Sequence, residues 1–346
     1  MKALPPYLVR ILQITVGIVI AGGGMTIFMR DVDIDHLGRE LGGYRVSTLV
    51  ICGALAVLSL WFRAIRWRIM LPTTPGSSKR NIFKFVVVSF MINNIVPARL
   101  GEAVRVLLLW KKNHYSPATA IGALVLERGI DMVVFIAFFF IPVFGLPQLA
   151  PLRPYAWPLV GLFALVMLGA ALLAKWPQQL SGLLLGLAAK LPSKVRTRVE
   201  TMLQHVLSNL DWLRSPGKVA GVAFFSALTS LCYAFMIFVL TTSQPAFGLL
   251  GSMFSQAYAT VGAAIPLSPG YVGTLHAMLL QGLTQAGIEA QQARAIAILY
   301  HALGYLPVTA LGLFYFFRID IRFADITRAQ QQFDTAPPPP KTPDLS

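Results

Sequence analysis

The chain has 346 residues, of which 56% are hydrophobic and only 12% are charged. That balance excludes an ordinary soluble domain and fits an integral membrane protein. The net charge of +15 is gathered in short loops between apolar runs, which points to the positive-inside rule and anionic lipid and away from a nucleic-acid partner.

Lys2 and Arg10 flank an apolar run from Ile11 to Met29. The run exceeds the roughly 7–15 residues of a signal-peptide core, so it is read as a retained first span, about Val9–Met29. Arg30–Arg45 carries Asp31, Asp33, Asp35 and Glu40 beside three basic residues. It lacks the Gly and distal Glu of a calcium loop and reads as a solvated acidic loop. Span 2 is about Val46–Phe62. Arg63–Lys84 then holds six basic residues and no acidic one, which places this loop and the N-terminus in the cytoplasm. Arg63, Arg66 and Arg68 beside Trp61 and Trp67 read as an interfacial anchor.

The next stretch holds the most information. Phe85–Val96 is apolar but too short to cross, since a span needs about 20 residues. It runs into Asn93-Asn94-Ile-Val-Pro97-Ala-Arg99-Leu-Gly101-Glu102-Ala-Val-Arg105, polar residues around two helix breakers. Lys111 and Lys112 restore the basic flank, so the segment 81–112 returns to its own side as a re-entrant hairpin. Free backbone groups at such a break are tolerated only where they line a cavity or are buried in protein.

Span 3, about Ser116–Phe144, opens on Ser116-Pro117, a cap followed by proline at the first helical position. Its first half carries Glu127, Arg128 and Asp131, whose spacing puts Arg128 within reach of Asp131 and Glu127 over Asp131. Span 4 is about Trp157–Leu173. Lys175–Lys218 follows as a cytoplasmic stretch, in which Val195, Val199, Met202, Val206, Leu210 and Leu213 recur at helical spacing and imply an amphipathic helix. Val219–Ile288 contains no Asp, Glu, Lys or Arg. It holds span 5, about Val219–Leu240, and a second interrupted segment, 246–287, broken at Pro266-Leu-Ser-Pro269-Gly270-Tyr271-Val-Gly273. Span 6 is about Ala295–Phe317. The remainder, 319–346, is polar and ends with Pro337–Pro340; it reads as a disordered cytoplasmic tail.

The fold expected is therefore an all-α polytopic membrane protein, with about six transmembrane helices and two re-entrant helical hairpins. Residues 1–146 form one half and 147–318 the other. Both read span, span, hairpin, span, the first starting inside and the second outside, so the halves are inverted. Pro97 with Gly101 matches Pro266 with Gly270, and Glu127-Arg128 matches Tyr300-His301. Two interrupted segments in corresponding positions are the sequence mark of a transporter binding site.

These motifs carry a family resemblance. Asn93 to Arg105 resembles the NN-x-x-P-x-R-x-GE-x-x-R signature of the lysylphosphatidylglycerol synthase transmembrane, or flippase-like, family. Glu127-Arg128-Gly-Ile-Asp131 resembles its ER-x-x-D motif. Pro269-Gly270-Tyr271-Val-Gly273 resembles its PGG-x-G loop, with Tyr271 in place of the second Gly. The resemblance covers about Val9–Phe317. It implies a multi-pass inner-membrane protein that handles lipids, either anionic phospholipids or polyprenyl-linked and other envelope lipids. Relatives fused to an aminoacyl transferase make the lipid that the membrane region flips. About 30 residues follow the last span here, so no lysyl-lipid synthesis is expected of this chain.

Arg99, Glu102 and Arg105 lie three residues apart. They suit an arginine grip on a lipid phosphate, with Glu102 bridging both, or else an ion-pair network that glues the hairpin in place. Asn93 and Asn94 suit headgroup amides or caps of the broken helix. Glu127, Arg128 and Asp131 either complete a cavity or neutralise one another. Tyr271, His276, Tyr300, His301 and Tyr305 are the polar candidates of the second half, and His301 suits proton exchange near neutral pH or a satisfied hydrogen bond. Pro97, Gly101, Pro266, Pro269, Gly270 and Gly273 are the break positions.

Cys52 and Cys232 are isolated thiols in apolar runs. No P-loop, HExxH or GxSxG is present, and the five histidines, at 36, 114, 205, 276 and 301, show no metal-ligand spacing. No cofactor, metal or catalytic residue is expected. The function expected is movement of an anionic lipid between leaflets of the inner membrane, with both termini cytoplasmic. The alternative is a membrane subunit or enzyme that holds a polyprenyl-linked sugar, with a separate lipid-modifying enzyme as partner.

Overall fold

A computed structural model describes residues 33–319 except 74–75, 97–99, 193–195, 198, 202, 204–206, 208–209 and 266–268, together with residues 15, 19, 22, 23, 25, 26, 28 and 29. Among these, every regular element is helical. The helices are α1 (Ile34–Gly42), α2 (Val46–Met70), α3 (Ile82–Ile95), α4 (Leu100–Asn113), α5 (Pro117–Gly145), α6 (Arg153–Lys175), α7 (Pro177–Ala188), α8 (Pro216–Leu240), α9 (Gly248–Ala264), α10 (Thr274–Gln285) and α11 (Ala290–Phe316).

Four stretches are long and apolar enough to cross a membrane: Val46–Met70, Pro147–Gly169, Pro216–Leu240 and Ala290–Phe316. The 29-residue α5 is long enough as well, and carries its three charges in its first half. Its start is the one read from sequence, with Ser116 Oγ accepting from the Thr119 amide at 3.0 Å. The protein is an all-α polytopic membrane protein.

Three expectations need correction or completion. The second span does not stop at Phe62: α2 runs on to Met70, because Arg63 and Arg66 are neutralised inside the bundle. Arg66 and Trp67 are fully buried, so only Trp61 and Arg68 of the supposed anchor lie at the surface. Within the acidic loop, residues 34–42 form a helix that buries Leu37 and packs on α11, while Asp33 and Asp35 remain exposed. Most of the first span, the 319–346 tail beyond Ile319, and Val195, Met202 and Val206 of the amphipathic pattern lie outside the described residues.

The packing repeats itself. Helix α3 packs on α4 as α9 packs on α10, and α2 on α3 as α8 on α9. Helix α4 packs on α5 as α10 packs on α11. Each hairpin also lies against the long helix of the other half, α3 on α11 and α9 on α5, while α2 packs on its own counterpart α8. Exchanging the halves maps this contact pattern onto itself, which is the signature of an internal two-fold repeat.

Small residues set the hairpins. A Cβ on Gly101 would collide with the Ser89 carbonyl, and one on Gly262 would sit 2.7 Å from the Thr274 carbonyl. Glycine at these points lets the two limbs of each hairpin touch backbone to backbone. Gly312 plays the same part between α11 and α3, where a Cβ would collide with Met91.

Candidate functional site

The two helix breaks meet. A Cβ on Gly270, in the second break, would lie 3.0 Å from the carbonyl oxygen of Asn94, one turn before the first. Asn94 Nδ2 donates to Thr309 Oγ1 at 2.9 Å, and the Tyr305 hydroxyl donates to the Asn94 carbonyl at 3.2 Å. Asn93 Oδ1 accepts from the Gly101 amide at 2.8 Å. Asn93 thus closes the first break, and Asn94 locks it to α11. The Asn93 side chain caps a broken helix end, the Asn94 side chain bonds across to α11, and both face the cavity that lies between the breaks.

The second break turns through left-handed backbone. Gly270, Tyr271 and Gly273 have φ of 58°, 61° and 83°. Glycine adopts this region freely; tyrosine does so at a cost of roughly 1–2 kcal/mol. Tyr271 stands where the related motif has its second glycine, and the backbone shows why glycine suits that position. In exchange, Tyr271 brings an aromatic ring to the cavity wall. Pro97, Arg99 and Pro266 lie outside the described residues.

Between the breaks and helices α5, α8 and α11 lies a cavity of about 470 Å³. One wall is charged, with Arg63, Glu102, Arg128 and Asp131. The wall formed by α9, the second break and α11 is neutral and polar, with Gln256, Tyr271, Tyr300, His301 and Tyr305. Asn93 and Asn94 of α3 complete the lining. Most of the described sequence candidates therefore converge on one space, although they are up to about two hundred positions apart.

Behind the charged wall sits an ion-pair network. Glu127 is fully buried; its Oε1 accepts from Arg63 at 2.8 Å and Arg66 at 2.7 Å, and its Oε2 from Arg105 at 2.9 Å. Asp131 accepts from Arg66 at 2.6 Å and Arg63 at 3.2 Å. Arg128 reaches Glu102 at 3.3 Å and Asp131 at 3.9 Å. Arg105 also donates to Ser89 Oγ through Nε and Nη2, and lies over the Trp67 ring at 5.0 Å. Arg66 donates to Ser226 Oγ at 3.0 Å.

Two expectations change here. Arg105 is buried and fully engaged by Glu127 and Ser89, and it does not line the cavity. Glu102 pairs with Arg128 and does not bridge to Arg105, because Glu127 of the neighbouring helix takes that partner. The exposed member is Arg128, 41% accessible at its side chain. Four arginines (63, 66, 105 and 128) face three carboxylates (102, 127 and 131), so the described network carries a net charge of +1. Sequence reading missed Arg63 and Arg66 as site residues. Their three-residue spacing, matched to the four-residue spacing of Glu127 and Asp131, is the signal that identifies them.

The neutral wall has its own order. Tyr300 donates to Gln256 Oε1 at 2.6 Å. His276 Nδ1 accepts from the Gly273 amide at 3.3 Å, and His276 Nε2 lies 3.2 Å from His301 Nδ1. Among the described residues no cluster of three or more His, Cys, Asp or Glu is arranged to hold a metal ion.

The cavity opens to one side. Its mouth lies between α5 and the end of α9, where Arg128, Met132, Thr260 and Val261 are exposed. The other ends of these helices close tightly: Phe139 stacks on Phe254 with centroids 5.6 Å apart, and a Cβ on Gly145 would be 2.9 Å from Leu250. The corresponding contact in the other half, α3 on α11, is shut at the break by Asn94, Tyr305 and Thr309.

The model of the lysylphosphatidylglycerol synthase TM region matches residues 14–312. A UPF0104 membrane protein of Methanothermobacter thermautotrophicus is 23% identical over 318 residues, covering 85% of this chain and 91% of its own. Two UPF0104 membrane proteins of Methanocaldococcus jannaschii are 24% and 22% identical, covering 66% and 88% of this chain and 94% of each of theirs. No solved structure matches. With the family match running from the first span nearly to the end of α11, through both breaks and the ion-pair network, the chain belongs to the lysylphosphatidylglycerol synthase transmembrane-region family.

Proposed function

We propose that this protein moves an anionic amphiphile between the leaflets of the cytoplasmic membrane. The observation that carries the reading is the cavity itself. It joins a cation-rich wall to a mouth lined by the exposed apolar side chains of Met132 and Val261. A phosphate headgroup fits the first, and acyl or prenyl tails left in the bilayer fit the second. Charge placed inside a membrane is costly and marks function. A surplus of arginine within a low-dielectric bundle favours an anion, and a guanidinium can bind phosphate through two parallel hydrogen bonds.

Arg128 is the first phosphate ligand in this reading. It sits at the mouth and has weaker pairings than Arg66 or Arg105. Glu102 and Asp131 hold it until the headgroup arrives. Glu127 keeps the remaining arginines folded against the bundle.

The architecture supports alternating access. Three crossings and a returning hairpin in each half reverse the direction of the second, so the two-fold axis lies in the membrane plane. With Lys111 and Lys112 on the cytoplasmic side, α5 begins inside, and its tight contact with α9 near Gly145 lies outside. The mouth therefore faces the inner leaflet in this state. Opening α3 from α11 while α5 closes on α9 exposes the same cavity to the outer leaflet.

The test uses purified protein in liposomes with fluorescent lipids in one leaflet. The expected result is movement of phosphatidylglycerol at least about tenfold faster than phosphatidylcholine of the same tails, since the site is built for a net anion. Equal rates for both lipids, or no gain over protein-free liposomes with either, would contradict the reading.

A further inference from the structure

The neutral wall of the cavity holds two histidines for which headgroup binding alone has no use. His276 belongs to α10 of the second hairpin and His301 to α11. Their rings meet edge to face with centroids 4.7 Å apart, and Phe28 of the first span covers His276 at 5.0 Å. The hydrogen bonds fix the protons. Because His276 Nδ1 accepts from the Gly273 amide, a neutral ring carries its proton on Nε2 and donates it to His301 Nδ1, 3.2 Å away. His301 then carries its own proton on Nε2, which is buried and has no hydrogen-bond partner. That nitrogen faces the Gly270 backbone at the second break. A chain of donors thus starts at the second break, passes through both rings and ends at a cavity-lining residue.

This chain cannot accept another proton unchanged. Its two remaining lone pairs, His276 Nδ1 and His301 Nδ1, are both engaged. A proton on the first releases Gly273; a proton on the second sets two N–H groups against each other and separates the rings. Either event loosens α10 and its break from α11.

The surroundings do not compensate an imidazolium. Helix α9 brings Tyr258 as its ionisable side chain, the break brings Tyr271, and α11 brings Tyr300 and Tyr305. Helices α9 and α10 contain no Asp, Glu, Lys or Arg. Arg294 lies seven positions before His301 on α11, where it donates to the Phe28 carbonyl. The other helices packed on α11 carry Asp35, Arg39 and Glu40 on α1, Arg63, Arg66 and Arg68 on α2, Lys84 on α3, and Lys218 and Tyr233 on α8. The carboxylates that line the cavity, Glu102 and Asp131, belong to α4 and α5 and are paired with arginine. An added positive charge therefore needs an anion in the cavity.

We infer that the His276–His301 pair is a proton-binding site that loads together with an anionic headgroup and releases the second hairpin when it does. The inference rests on the lipid-moving reading for the identity of the anion. It makes the proton a co-substrate and so gives transport a driving force.

The test is histidine ¹⁵N NMR on the full chain in nanodiscs of phosphatidylglycerol and of phosphatidylcholine. At about pH 8 both rings should be neutral with Nδ1 accepting and Nε2 protonated. On lowering to about pH 5 the pair should take up one proton, at a pH at least about one unit higher in phosphatidylglycerol. That difference is counted beyond the shift of a membrane-bound histidine peptide in the same nanodiscs, which reports the surface potential. His301→Gln should abolish the lipid-dependent part at His276. The opposite tautomers, or rings that titrate independently and alike in both lipids, would overturn the site. If the pair responds as expected while liposomes show no lipid movement, the proton site stands and the transport reading fails. Lipid movement beside a pair that ignores phosphatidylglycerol overturns the proton site and leaves transport standing.

Discussion

Glu127 accepts hydrogen bonds from arginines on two other helices, α2 and α4. It is at once the most buried acid of the network and its organiser. Glu127→Ala leaves buried Arg105 without its counter-charge and Arg66 with Asp131 alone, which costs about 3–5 kcal/mol. A thermal-unfolding measurement in detergent should show a large drop in stability or loss of folded protein; a stability close to wild type would mean that the network is not structural. Gly101→Ala should fail for a different reason, because its Cβ collides with the Ser89 backbone and no rotamer can relieve that. Gly304→Ala, with open space around it, is the matched control and should fold. At this scale the sequence showed which residue types were charged and intramembrane, but not who pairs with whom. Arg99, Glu102 and Arg105 share a spacing, which suggested a single stripe. The fold instead hands Arg105 to Glu127 and Glu102 to Arg128, since partners from neighbouring helices lie closer than those along one helix. Tyr271 was legible as a departure from a motif; that it sits at φ 61° was not.

Among the elements, both breaks were legible, because proline and glycine interrupt apolar runs too short to cross. The end of α2 was not. Three arginines within six residues look like a cytoplasmic boundary until the acidic partners of Arg63 and Arg66 on α5 are known. The first hairpin is held shut on α11 by Asn94, Tyr305 and Thr309, and this contact must part if α3 and α11 form the outer gate. Oxidising an Asn94→Cys/Thr309→Cys protein, whose native side chains touch at 2.9 Å, should stop lipid movement, and reduction should restore it. Buried Cys52 and Cys232 remain as the background to be checked in the wild type. Unchanged movement in the crosslinked protein would show that this contact is not a gate.

On the scale of the whole molecule, the repeat is visible as a contact pattern that survives exchange of its halves. The sequence hinted at it only through a few matched positions, because an internal two-fold constrains packing far more than residue identity. Reporters inserted at His114 and at Gly287 should therefore appear on opposite sides of the membrane, with His114 cytoplasmic; the same side for both would break the inverted arrangement. The central claim is that an anionic lipid passes through the cavity by way of Arg128. The most direct measurement is transbilayer movement of fluorescent phosphatidylglycerol by wild type and by Arg128→Gln in matched liposomes, with thermal stability confirming that the variant is folded. The account predicts a loss of at least about tenfold in the variant, the effect of removing a charged ligand worth about 1.5–3 kcal/mol. A folded variant that moves the lipid as fast as wild type would contradict it.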